Sequence, residues 1–135
     1  MEWRLELIVV PVSDVERAKA FYVDKAGFEL HVDHSDGDFR VVQLTPKGSA
    51  CSIAIMADES AGSLHGLHLV VSDIYAARDE LERRGAGPSG IFHFEAGQQQ
   101  PGADPERADY NSFCSFNDPD GNTWLVQEVT GAGAG

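Results

Sequence analysis

The sequence predicts an α+β fold built from two tandem βαβββ modules. An apolar strand that runs directly into a helix start occurs twice, over residues 7–15 and over residues 66–74. Short β-rich runs separated by turn residues follow each of these strand–helix units. The length of 135 residues suits one ordinary domain. We therefore expect a single domain over residues 1–130, with modules at about 4–58 and about 63–129.

The first helix is predicted to begin after Ser13 and to end at Gly27. Ser13 and Glu16 have the spacing of a capping box, in which the serine hydroxyl accepts a backbone N–H and the glutamate returns the bond. Glycine is a common helix stop because it adopts the left-handed conformation at low cost. The apolar stripe that faces the core consists of Val15, Ala18 and Tyr22.

The second helix repeats this pattern. Ser72 is predicted to cap it and Gly85 to end it. Its apolar stripe consists of Ile74, Ala77 and Leu81. The charged residues between 78 and 84 are expected to form the solvated face of the helix.

Short strands are predicted after each helix. They cover Phe28–Val32, Phe39–Leu44 and Cys51–Met56 in the first module, and Phe113–Phe116 and Thr123–Val129 in the second. The second module is longer because of an insertion at about 88–110, which contains a polar loop over residues 97–105. This loop is either a lid over a site or a tolerated surface insertion.

Composition excludes several classes of partner. The formal net charge of -12 disfavours nucleic acid and anionic lipid, and no apolar run reaches the length of a membrane-spanning helix. The amino terminus lacks the features of a signal peptide, so a soluble cytoplasmic protein is expected. Cys51 and Cys114 are predicted to be reduced packing residues. The glycine- and alanine-rich tail at 131–135 is predicted to be flexible.

Two motifs in a fixed order carry a family resemblance. The first is V-x-D-x-x-x-A-x-x-F-Y, formed by Val12, Asp14, Ala18, Phe21 and Tyr22, and the second is D-P-D-G-N at residues 118–122. With the internal repeat, they resemble the vicinal oxygen chelate superfamily of glyoxalase and bleomycin-resistance proteins over residues 5–129. The resemblance implies that each module curls its sheet, that the paired sheets enclose a cleft with the helices outside, and that the chain forms a homodimer.

The resemblance also implies where a metal would bind. In metal-using members, four strand positions that face the cleft supply the ligands. Carried onto this chain, these positions are Leu7, Gly66, Leu125 and Ser52. Leucine and glycine offer no lone pair to a divalent ion, so we predict a protein without a metal or other cofactor.

Strand alternation extends the predicted cleft, because residues two apart share a face. The positions that share the cleft face with those four are Leu5, Val9, Ala50, Ala54, Met56, His68, Val70, Thr123 and Gln127. The predicted core face consists of Ile8, Val10, Ile53, Ile55, Leu67, Leu69, Val71, Trp124 and Val126. A mostly apolar face with a few polar points is typical of a small-molecule pocket.

His68 is the candidate catalytic residue. It faces the predicted cleft, where its imidazole is able to hydrogen-bond a ligand or to act as a base, and the alternative is a semi-buried histidine bonded to a neighbouring strand. The insertion adds Phe92, Phe94 and Tyr110, which either stack on a planar ligand or pack as an ordinary strand edge. The other histidines at 31, 34 and 65 are expected to be solvated or in loops.

Three functions are compatible with these features. One is a metal-free protein that binds a small apolar or aromatic molecule, as drug-sequestering members of the family do. Another is a lyase or isomerase that uses His68 as acid or base, or as a ligand of a non-standard metal site with His93 and Glu95 or Glu128. The third is a structural or regulatory module whose groove binds another protein.

Overall fold

The computed structural model describes residues 1–131, so nearly all of the predicted flexible tail lies outside the described residues. The chain forms two compact units. One comprises Met1–Leu64 together with Asp118–Asn122, and the other comprises His65–Asn117 together with the described residues that follow Asn122.

The first unit has the predicted βαβββ order. Its elements are β1 (Leu7–Val12), α1 (Val15–Ala20) continued by a π-helical turn (Phe21–Lys25), β2 (Glu29–Asp36), β3 (Phe39–Thr45) and β4 (Ser52–Ala57). The strands form one sheet in the order β1-β4-β3-β2. The pair β1 and β4 is parallel, whereas the other neighbours are antiparallel.

The second unit repeats this order with one additional strand. Its elements are β5 (Leu67–Val71), α2 (Ile74–Arg84), β6 (Phe92–Glu95), β7 (Gln98–Pro101), β8 (Phe113–Asn117) and β9 (Thr123–Glu128). The sheet order is β5-β9-β8-β6-β7, with β5 and β9 parallel. Two mixed open sheets with few helices confirm the predicted α+β class.

Each helix packs on one face of the sheet in its own unit, α1 against β3 and β4 and α2 against β8 and β9. The alternation that the sequence predicted places most of the apolar residues in the core on this face, but Ile8, near the start of β1, is 38% exposed. Its buried strand residues include Val10, Ile53, Ile55, Leu67, Trp124 and Val126. The predicted helix stripes meet them, with Val15, Ala18, Tyr22, Ile74 and Leu81 all buried.

The cap of α1 differs from the prediction. Asp14, and not Ser13, is the N-cap residue, and its carboxylate accepts the Arg17 backbone N–H at 3.0 Å. The Ser13 hydroxyl is already engaged because it donates to the carboxylate of Asp120 at 2.5 Å. The predicted return bond from Glu16 is replaced by an ion pair with Arg40 at 3.1 Å.

The cap of α2 differs in the same way. The Asp73 carboxylate accepts the backbone N–H groups of Tyr75 and Ala76 at 3.0 and 3.2 Å, so Asp73 takes the place predicted for Ser72. A carboxylate is favoured here because its charge also interacts with the positive end of the helix dipole. Gly85 ends the helix as predicted, with φ at 83°.

The D-P-D-G-N turn belongs to the first unit. The buried carboxylate of Asp118 accepts the Tyr22 hydroxyl and the Asn122 side-chain amide, both at 2.8 Å. Gly62 lies against this turn, and a Cβ at Gly62 would meet the Asp120 carbonyl oxygen. This close approach requires glycine, so the second motif is a docking turn as well as a link between β8 and β9.

The polar loop predicted at 97–105 is in part a strand. β7 pairs antiparallel with β6, and Glu95 lies opposite Gln98. The two turn residues, Ala96 and Gly97, have φ of 51° and 78°, the positive values of a two-residue hairpin turn. Ala96 and Gly97 therefore form the turn of a β-hairpin in a segment whose polar composition predicted a loop.

Candidate functional site

Strand register defines the two faces of the second sheet. His68 lies opposite Leu125, and Val70 lies opposite Gln127. Gln127 in turn lies opposite Phe113, which pairs with Phe92. These residues therefore share one face, opposite to the face that α2 covers. The predicted face assignments of β5 and β9 agree with this register.

Three phenylalanine rings form a cluster on this face. The rings of Phe92 and Phe113 are stacked with centroids 5.5 Å apart, and Phe94 meets Phe113 edge-on at 5.7 Å. Phe94 is 43% exposed and Val70 is 53% exposed, so the cluster continues into accessible apolar surface. We call Phe92, Phe94, Phe113, Val70 and Gln127 the aromatic face.

His68 lies on the same side of the sheet, next to Leu125. Its ring Nδ1 is 2.6 Å from the carbonyl oxygen of Gly66. A carbonyl accepts only, so Nδ1 carries the proton of this bond. The neutral ring then has its lone pair on Nε2, which suits an acceptor or a base.

Tyr110 and Asn111 lie where the insertion rejoins β8. Tyr110 is 64% exposed and its backbone N–H donates to the Glu128 carbonyl at 2.9 Å. The Asn111 amide donates to and accepts from the backbone of Phe94, with both bonds at 3.0 Å. Asn111 thus completes the hydrogen bonds of β6 at this point and fixes the position of Phe94.

His93 points to the opposite face from its neighbours Phe92 and Phe94. It is 4% exposed, with Nδ1 at 2.7 Å from the Gly102 carbonyl and Nε2 at 3.0 Å from a carboxylate oxygen of Glu95. These two bonds raise the pKa of His93, the carbonyl bond more than the carboxylate bond. His68 and His93 are therefore on different faces of the sheet and do not converge.

Glu128 is a buried residue whose role the sequence did not reveal. Its carboxylate accepts the backbone N–H of Ile74 at 2.9 Å and two bonds from the Arg107 guanidinium, at 2.9 and 2.5 Å. The Arg107 bonds hold the pKa of Glu128 below its usual range. Arg107 also lies over the Tyr75 ring, 5.0 Å from its centroid. Glu128 therefore joins the insertion to the start of α2.

The first sheet has a corresponding face. Leu7 lies opposite Ser52 and Val9 lies opposite Ala54, as their shared face predicted. Gln43 of β3 is the next neighbour of Ala54. Leu7 is half-buried and Val9 is exposed, whereas Ser52 and Ala54 are buried.

One edge of this face carries a string of hydrogen bonds. The hydroxyls of Ser52 and Thr45 are 2.7 Å apart, and the Thr45 hydroxyl is 3.2 Å from Nδ1 of His31. The pairing of β2 with β3 shifts register at His31, which brings its ring over Thr45. We call Ser52, Thr45 and His31 the hydroxyl string. His31 is exposed as predicted, but it is hydrogen-bonded, and His34 and His65 are exposed.

A separate cavity of about 270 Å³ lies on the helix side of the first unit. Its lining residues are Glu16, Lys19, Ala20, Val23, Asp24 and Leu30. The nearby Asp33 carboxylate binds Arg40 and Lys19, each at 2.8 Å, and these cations lower the pKa of Asp33 far below its usual range. Two of the charged lining residues are therefore paired, Lys19 with Asp33 and Glu16 with Arg40.

The residues at the family's metal positions do not fit a divalent ion. Leu7, Gly66 and Leu125 carry no side-chain donor atom, and the buried hydroxyl of Ser52 is bonded to Thr45. Within residues 1–131, no three side chains of His, Cys, Asp or Glu are grouped to hold a metal. Both cysteines are free thiols, and burial raises the pKa of Cys114 to about 11.

The two tandem βαβββ modules, each with a helix on one face of its own sheet, define a protein of the vicinal oxygen chelate type. The chain belongs to the Glyoxalase/Bleomycin resistance protein/Dioxygenase superfamily, whose family model matches residues 4–126.

Among solved structures, the chain is similar to TnmS3, an antibiotic binding protein from Streptomyces sp. CB03234. The two are 32% identical over 94% of this chain and 96% of that one, with a TM-score of 0.74. A glyoxalase/bleomycin resistance protein from the same Streptomyces is 33% identical over 93% of this chain and all of that one, with a TM-score of 0.71. The uncharacterized protein YetH of Bacillus subtilis (strain 168) is 25% identical over 90% of this chain and 94% of its own length.

Across the described residues, no helix combines the length and apolar character that crossing a membrane requires.

Proposed function

We propose that the protein binds a small, largely apolar or aromatic molecule without a metal ion. The single observation that carries this proposal is the aromatic face, where three clustered phenylalanine rings continue into exposed apolar surface. The proposed ligand-binding residues are Leu7, Val9, Ser52, Ala54, His68, Val70, Phe92, Phe94, Tyr110, Leu125 and Gln127.

The chemistry of the aromatic face favours a planar ligand. Aromatic rings prefer stacked or edge-to-face partners, and Phe94 offers an accessible ring. Gln127 and His68 add polar atoms within a mostly apolar surface, the arrangement that orients a bound small molecule. The similarity to an antibiotic binding protein supports a small-molecule ligand.

A second candidate is an enzyme with His68 as acid or base. The bond from Nδ1 to Gly66 supports it, because this bond leaves Nε2 of the neutral ring able to take a proton. The donor set at the family's metal positions does not fit an ion, so no step of such a reaction is assigned to a metal. His68→Ala separates the two candidates, since it abolishes any turnover but only weakens binding to the aromatic face.

Leu125→Glu tests the proposed binding site with 2-methylnaphthalene as the probe. The variant places a carboxylate beside His68, and we expect the affinity for the probe to fall about tenfold or more, because an apolar ligand would desolvate that charge. Tyr75→Glu is the matched control, since Tyr75 is an exposed apolar residue of α2, which covers the opposite face of the second sheet. Equal losses in the two variants, or no loss in Leu125→Glu, would contradict the proposed site.

We also propose that the chain forms a homodimer in the cytoplasm. The edge strand β2 supports self-association, because all eight of its residues are exposed, among them Leu30 and Val32. Symmetric dimers are the most frequent assemblies of soluble chains.

A further inference from the structure

The contact between His31 and Glu29 gives the hydroxyl string a preferred direction. A carboxylate oxygen of Glu29 lies 3.7 Å from Nε2 of His31, which favours the tautomer with the proton on Nε2. In that tautomer Nδ1 accepts from the Thr45 hydroxyl. The Thr45 oxygen then accepts from the Ser52 hydroxyl, so the proton of each hydroxyl points toward His31.

This direction determines whether the Ser52 hydroxyl is able to donate or to accept a hydrogen bond with a ligand. A hydroxyl has one donor hydrogen and two acceptor lone pairs. The hydrogen of Ser52 is used within the string, whereas its lone pairs remain for a group on the ligand. Ser52 and Thr45 are buried, at 7% and 6% exposure, so a missing partner there would be costly.

The surroundings of the string favour an apolar ligand. Leu7 lies directly opposite Ser52 on β1, and Val9, Ala54 and Val32 continue the same face of the sheet. The net charge of -12 disfavours an anion. A neutral molecule with one hydrogen-bond donor satisfies both conditions.

We infer that Ser52, Thr45 and His31 form a hydrogen-bond relay that recognises the hydroxyl donor of an otherwise apolar ligand. This inference rests on the proposed function and deepens it by naming the polar group that the ligand carries. Ser52 accepts the bond from the ligand, and Thr45 and His31 act as positioning residues that keep its lone pairs available.

The test compares 2-naphthol with 2-methoxynaphthalene, which differ in the hydroxyl donor. Residue-resolved NMR titrations of the full chain give an affinity at Ser52, Thr45 and His31 that is independent of signals at His68. We expect 2-naphthol to bind about fivefold more tightly than 2-methoxynaphthalene at the hydroxyl string. This factor corresponds to the net free energy of one neutral hydrogen bond.

Variants of the relay residues test whether the preference for 2-naphthol depends on the relay. Ser52→Ala and Thr45→Val are expected to bring the ratio of the two affinities close to one, whereas Thr45→Ser retains the preference. Ser35→Ala is the matched control, because it removes a hydroxyl from an exposed position of β2. The ratio of the two affinities is compared only among variants that keep the thermal transition of the wild type. If a variant does not fold, the ratio measured for the wild-type protein alone tests the relay.

The remaining outcomes of the titrations distinguish a failure of the relay from a failure of the proposed function. Saturable shifts at His68 and Gln127 with both probes, but none at the hydroxyl string, would overturn the relay and leave the proposed function standing. Binding at the string with equal affinity for both probes would do the same. No saturable shift anywhere would overturn the relay together with the proposed function.

Discussion

Among single residues, His93 has a protonation state that the geometry determines. Both of its ring nitrogens face acceptors, the Gly102 carbonyl at 2.7 Å and a carboxylate oxygen of Glu95 at 3.0 Å. A ring that makes both bonds must carry two protons and therefore a positive charge. His93 is a residue of β6, so its charge stabilises the strand that carries the rings of Phe92 and Phe94.

This geometry predicts a pH-dependent stability. The folded pKa of His93 is raised above its ordinary value of 6.5, so its contribution is fully present below that value and is lost as the pH rises through the folded pKa. Urea unfolding of wild type and His93→Gln between about pH 6 and pH 8 measures the difference. We expect the stability advantage of the wild type to shrink as the pH rises. Parallel curves over this range would contradict the charged state of His93.

Glu128 is the second residue with a large predicted effect. Its buried carboxylate bonds to Ile74 and to Arg107, so Glu128→Gln removes the charge of a buried ion pair. We expect the free energy of unfolding to fall by about 2 kcal/mol, measured by urea denaturation. Glu106→Gln is the control, because Glu106 is exposed and only its backbone takes part in the bond to Asp104. A similar loss in both variants would remove the special role of Glu128.

Among the secondary-structure elements, the β6–β7 hairpin depends on its turn. Ala96 has a φ of 51°, a conformation that alanine adopts at some cost and that asparagine tolerates better. Ala96→Asn should therefore stabilise the protein by about 0.5 kcal/mol in urea unfolding. Ala96→Val should destabilise it, because a β-branched residue fits this conformation poorly. A lower stability for Ala96→Asn than for Ala96→Val would contradict the positive φ of residue 96 in the hairpin turn.

The strand faces could be predicted because alternation depends only on neighbouring residues. Val9 and Ala54 share a face, and so do His68 and Leu125, as the sequence indicated. Strand β7 could not be predicted from its composition, since glutamine-rich segments have no strong β preference. It forms because the turn before it brings it beside β6.

The polar contacts of the candidate site were less predictable. The approach of His31 to Thr45 depends on a bulge in β2, which moves one side chain without a local sequence signal. The bond between Arg107 and Glu128 joins residues from the insertion and the last strand. Their spacing in the sequence carries no periodicity, so only the tertiary structure shows that they pair.

The exposed edge strand of the first sheet predicts that two copies of the chain associate. β2 is an edge strand with exposed Leu30 and Val32, which a second chain would cover. We expect light scattering at micromolar concentration to give twice the mass of the chain. Val32→Lys should shift this equilibrium toward the single chain, whereas Tyr75→Lys, at an exposed position of α2, should not. A single-chain mass for the wild type would contradict the dimer.

We propose that the chain binds a small apolar molecule and needs no metal to do so. The most direct test is a calorimetric titration of 2-methylnaphthalene into the protein with and without EDTA. We expect saturable binding with the same Kd in both conditions, because the side chains of Leu7, Gly66 and Leu125 supply no metal ligand. Binding that is lost in EDTA and restored by zinc or nickel, or no saturable binding at all, would contradict it.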